Sequence, residues 1–130
     1  FKDEKQRAYQ QLKLEGIKDS AVNVAVFYQR SDAAVLGQTS MIEMGQYSVV
    51  CAIQNMWLMA RALNIGLGWV SILDAKKVEK IVSADENQQL VAYLCIGPVD
   101  TFYDKPELET LGWDKKKAFD EVVFSEKLNK

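Results

Sequence analysis

The chain has 130 residues, 48% of them hydrophobic and 26% charged, which is the composition of one globular domain with a core and excludes a disordered polar tail. Sixteen basic residues against eighteen acidic ones give a net charge of −2, so the chain has no strong basic field for nucleic acid. It has no histidine, which removes the Ser-His-Asp and Cys-His nucleophiles, the HExxH zinc site and any imidazole proton shuttle.

The stretch from Phe1 to Glu15 is rich in Lys, Gln, Glu and Arg and reads as the last turns of an exposed helix, closed by Gly16. Ala21 to Tyr28 is a β-branched run of strand length; its few polar interruptions predict a strand buried on both faces. Gln29 to Thr39 is a loop. Met41 to Asn64 carries the longest helical pattern, with no charged residue between Glu43 and Arg61. Roughly 20 apolar residues would cross a bilayer, but Gln46, Ser48, Gln54 and Asn55 argue against a membrane span. The prediction is a central helix packed on all sides, within the domain and at a subunit interface.

Gly66-Leu67-Gly68 is predicted to end that helix, with Trp69 to Ile72 as a short strand. Asp74 is placed to cap a helix that runs through Val78, Ile81 and Val82 on one face. Leu90 to Gly97 is another apolar strand. Strands alternating with helices predict an α/β or α+β sandwich. Pro98 to Lys130 has little pattern beyond Val122-Val123-Phe124 and reads as a tail that wraps a partner subunit, so residues 1–130 form one domain with 98–130 as its extension.

Single candidates for chemistry are weak. Cys51 and Cys95 sit in apolar runs and read as buried free thiols in a reducing, cytoplasmic setting, with no secretory signal at the start. Gly66-Leu67-Gly68 lacks the context of a dinucleotide fingerprint. Glu107 and Glu109 read as solvated surface more readily than as a paired acid and base. Lys115-Lys116-Lys117 is a charge run, from which a phosphate site would use a lysine as a point charge.

The ordered set of motifs is more specific. Tyr47-Ser48, Gln54 to Ala62 and Gly66-Leu67-Gly68-Trp69-Val70-Ser71-Ile72 together resemble the nitroreductase superfamily of FMN proteins. Within it the chain is most similar to the 5,6-dimethylbenzimidazole synthases, through Lys13 to Ile17, Tyr93 to Gly97 and Pro106-Glu107-Leu108-Glu109-Thr110-Leu111-Gly112-Trp113. The resemblance implies an α+β, nitroreductase-like three-layer α/β/α sandwich, incomplete at its N-terminus. It also implies a homodimer with FMN at the subunit interface, and no nucleic-acid or membrane partner. The activity it implies is O2-dependent fragmentation of FMNH2 to the lower ligand of cobalamin. The alternatives are a general NAD(P)H:FMN nitro- or quinone reductase, and a non-catalytic dimeric remnant that no longer holds FMN.

Because flavin chemistry resides in the ring, a chain without histidine is compatible with it. The resemblance assigns Ser71, Ile72, Leu73 and Asp74 to a strand along the flavin. Ser71 lies near its reacting face as the catalytic candidate, and the backbone of Leu73 and Asp74 lies near N5. Lys116 is assigned to the FMN phosphate, while Asp114 stands where the family has a cation. Gln38 stands where the family has the arginine of a Leu-Gly-Arg stretch. The family's arginine-rich phosphate segment, two helices and flavin lid are expected upstream of Phe1.

Overall fold

The computed structural model describes residues 15–33, 35–37 and 39–128. Expectations that fall on residues 1–14 and on Gln38 lie outside them. Two compact units divide the chain, Phe1–Val99 and Asp100–Lys130. The second unit begins two residues after Pro98, where the sequence pattern thins out.

The first unit is built on a three-stranded antiparallel sheet in the order β1-β3-β2, formed by β1 (Val22–Gln29), β2 (Ile65–Val70) and β3 (Gln88–Pro98). β1 pairs with β3 from Val22↔Ile96 to Gln29↔Gln88, with a bulge between Val26 and Phe27. β2 pairs with β3 only from Ile65↔Pro98 to Val70↔Tyr93. Helix α1 (Met44–Ala62) lies on the sheet through Val49, Ile53 and Ala60. The register puts Val24, Leu94 and Trp69 side by side on the face that α1 covers. There Ile53, Ala60, Leu67, Ala92 and Leu94 form the buried core.

β1 is half-buried from Val24 to Tyr28 and exposed at its start, not enclosed on both faces as its apolar run suggests. On the face away from α1, Asn23 anchors the incoming chain. Its amide donates to the Ile17 carbonyl at 3.0 Å, and its oxygen accepts from Ser20 Oγ at 3.1 Å and from Cys95 Sγ at 3.3 Å. Residues 15–19 before β1 are helical, so Gly16 lies within a helix and does not close one; its carbonyl accepts from Ser20 N–H.

Gly66 and Gly68 also differ from expectation, lying within β2 and not at a helix end. Helix α1 stops at Ala62, four residues before Gly66, and Asn64 turns the chain with a left-handed φ of 57°, a conformation Asn tolerates better than most residues. Gly66 has a different task. A Cβ there would collide with Val99 Cγ1 and come within 3.2 Å of the Gly97 carbonyl, so only glycine allows that approach.

Among the described residues, helix α1 packs on the sheet along one side. Tyr47, Val50, Met56, Trp57, Leu58 and Met59 are exposed in the chain, as is Cys51. The expected packing on all sides is therefore not met within one chain. No helix among the described residues is long and apolar enough to cross a membrane.

Helix α2 (Ala75–Ile81) follows β2 after a four-residue turn. Asp74 is its N-cap as predicted, the carboxylate accepting from Lys77 N–H at 3.2 Å. The predicted apolar face is only partly covered: Val78 is half-buried, whereas Ile81 and Val82 are exposed. Replacing Asp74 with alanine is expected to cost about 1 kcal/mol of stability; a chemical-denaturation midpoint measures it, and Asp74→Asn should retain most of it.

The second unit holds two short helices, α3 (Glu107–Thr110) and α4 (Phe119–Val122). Gly112 takes a φ of 70° and turns the chain so that Trp113 N–H reaches the Leu108 carbonyl at 2.8 Å. Glu121 closes the start of α4, its carboxylate accepting from Ala118 N–H at 2.7 Å.

Candidate functional site

Four of the five expected site residues, Ser71 to Asp74, fall at the end of the sheet where β2 stops. Ser71 to Asp74 are the turn between β2 and α2, not a continuation of the strand. Ser71 is exposed, Ile72 and Leu73 are half-buried, and Asp74 is exposed. None of the loop and cap backbone hydrogen bonds among the described residues is donated by these four residues. Their N–H groups thus leave the ladder together, next to two apolar side chains and one hydroxyl. Such a row suits the polar edge of a flat heterocycle, with Ile72 and Leu73 supplying apolar contact. The Asp74 carboxylate is engaged as a helix cap and also lies 3.8 Å from Lys77 Nζ, so Asp74 offers a ligand its backbone only.

Glu79, which the sequence reading passes over, holds this corner. Its Oε2 accepts from Lys76 Nζ at 2.7 Å and its Oε1 accepts from the Leu90 N–H at 3.3 Å. The Lys76 hydrogen bond, and then the Leu90 N–H, hold the carboxyl below the usual carboxylate range. A lowered pKa makes its stabilising contribution present above the ordinary range, and that contribution is lost as pH falls through the lowered value.

A cleft of ≈ 320 Å³ opens at the same end of the sheet, lined by Tyr28, Arg30, Gln46, Glu86, Asn87 and Gln89 among others. Gln46 Nε2 donates to Gln89 Oε1 at 2.7 Å, tying α1 to β3, and Arg30 N–H donates to the Asn87 carbonyl at 2.9 Å. The Tyr28 ring fills the space that a side chain on Gly45 would take. These residues come from three separated stretches, and no motif marks them.

Lys116 lies in the second unit and is exposed in an irregular stretch with Lys115 and Lys117. Ser71 to Asp74 lie in the first unit. Asp114 accepts from Lys115 N–H at 2.8 Å. Glu107 and Glu109 are exposed on α3, consistent with the solvated-surface reading. Cys95 is half-buried and Cys51 exposed, so the expectation of two buried thiols fails at Cys51, which lies on the uncovered side of α1.

An antiparallel sheet with a long helix across one face is an α+β arrangement. The chain belongs to the nitroreductase family, which it matches over residues 1–98. It is 43% identical over 117 residues to the 5,6-dimethylbenzimidazole synthase of Rhodospirillum rubrum and 43% identical to one from Rhodobacter capsulatus. A second Rhodobacter capsulatus synthase is 38% identical. Each match covers 88% of this chain and 56% of the relative, so the chain spans just over half their length. A match of that extent leaves too few residues outside it to omit the turn from Ser71 to Asp74. A crystal structure from Clostridium acetobutylicum assigned as an NADH oxidase superposes with a TM-score of 0.54 at 16% identity, over 77% of this chain and 61% of that one. That likeness bears on the fold alone.

Proposed function

We propose that the protein is a flavoprotein that acts as a 5,6-dimethylbenzimidazole synthase, taking reduced FMN as its substrate and O2 as the oxidant. The observation that carries this reading is the 43% identity to two such synthases across a span that includes the β2–α2 turn. The turn supports it through its chemistry. The Ile72, Leu73 and Asp74 N–H groups are available to the polar edge of the ring, and the exposed Ser71 hydroxyl is the candidate at the reacting face. When bound, the flavin supplies the redox chemistry; the protein orients it and limits access of water. On the resemblance alone, Lys116 is proposed as a phosphate contact.

A homodimer is part of the same proposal. The apolar, uncharged side of α1 left uncovered in one chain is the surface offered for pairing. The test of the activity is incubation of the protein with reduced FMN in air, followed by chromatography for 5,6-dimethylbenzimidazole. Product formation that falls with Ser71→Ala is expected. FMN binding without product would favour the reductase alternative, and absence of binding would favour the non-catalytic remnant.

A further inference from the structure

We propose that Glu79 is the positioning residue of the β2–α2 turn, taking the place of a strand at Leu90 and so keeping the Ser71–Asp74 amides out of the sheet. β1 flanks β3 down to Gln88, but β2 accompanies it only as far as Tyr93. The open edge of β3 is thus the place where the chain after Val70 would continue. Continued past Tyr93, that register would set Ser71 against Ala92 and bring Leu73 to Leu90, on the far side of the bulge at Val91. The Leu90 N–H is instead taken by Glu79 Oε1 at 3.3 Å.

The Glu79 side chain is only 13% exposed, whereas its other partner, Lys76, is 88% exposed. The contact shielded from water is the one to Leu90. An exposed ion pair contributes little by itself, so the Lys76 bond helps to orient the carboxylate and the Leu90 bond docks the helix. Asp74 fixes the start of α2 and Glu79 fixes its middle. Between these two anchors and the last β2 pair at Val70, the turn has no slack to pair with β3. An unzipped edge of this kind leaves all of these amides available to a ligand, whereas an extended antiparallel ladder would take every second one.

The inference rests on the flavin reading for its purpose but not for its geometry, and the experiment separates the two. Amide hydrogen exchange and amide NMR shifts of the flavin-free full chain are compared for the wild type, Glu79→Ala and Glu79→Gln. In Glu79→Ala, exchange at Leu90 is expected to rise about tenfold or more, with the amide shifts of residues 71–74 moving. The amides of Val24 and Leu94 should stay unchanged. Glu79→Gln retains an oxygen acceptor and is expected to restore the wild-type pattern. With FMN added, Glu79→Ala should bind roughly tenfold more weakly and with an altered flavin visible band, and Glu79→Gln should recover both. Unmoved amides at 71–74 in Glu79→Ala would overturn the proposal, as would a uniform rise in exchange across the whole sheet. Moved amides in a chain that ignores FMN would uphold the positioning and refute the flavin reading.

Discussion

Replacing Leu94 with alanine is expected to destabilise the protein by about 3–5 kcal/mol, near the top of the range for a buried leucine. Leu94 is fully buried at the centre of β3, level with Val24 on one side and Trp69 on the other. It is one of two large side chains among the described residues with almost no exposure, the other being Ile53 on α1. Removing its side chain from between the sheet and α1 adds a cavity penalty to the lost transfer energy. A melting temperature lower by roughly 10–20 °C follows for a chain of this size. Calorimetry or circular dichroism measures it. A loss of less than about 1 kcal/mol would mean that the core lies elsewhere.

Introducing Leu58→Glu and Met59→Glu together is expected to abolish the proposed homodimer while leaving the single chain folded. Both side chains are 61% exposed in the chain, so charge there disturbs little in a monomer. In a pairing through α1 the same carboxylates would be buried without partners, at a cost of several kcal/mol. The dimer dissociation constant should rise at least about a hundredfold. Light scattering at micromolar concentration is expected to show a dimer for the unaltered chain and a monomer for the double variant. A monomeric unaltered chain would remove the need for α1 as an interface.

Local rules were enough for some of these features and insufficient for others. The cap at Asp74 was legible because an acidic residue before a short periodic run needs only its own next turn to act. The long helix was legible from its uncharged length, but its neighbours were not; nothing in residues 44–60 says whether the cover comes from the same chain or from another. Gly66 and Gly68 misled because glycine serves both as a helix stop and as a close-approach residue in a strand. At Gly66 the choice depends on Val99 and Gly97, some thirty positions away, while a Cβ on Gly68 would meet open space. Asn64 carried the true stop signal. The resemblance gave Ser71–Asp74 as part of a strand, whereas its form as a turn depends on β2 ending at Val70. Glu79 was invisible because its role comes from a bond to Leu90 on a different element. The cleft near Arg30 was invisible for the same reason.

Equilibrium titration of the purified chain with FMN, followed by flavin fluorescence, is the most direct measurement of the proposed site. Saturable binding of one FMN per chain is expected for the wild type. Leu73→Pro, which deletes one N–H of the turn, is expected to weaken it about tenfold or more. No saturable binding at any accessible concentration, or equal affinity in a folded Leu73→Pro variant, would contradict a flavin held by the amides of the β2–α2 turn.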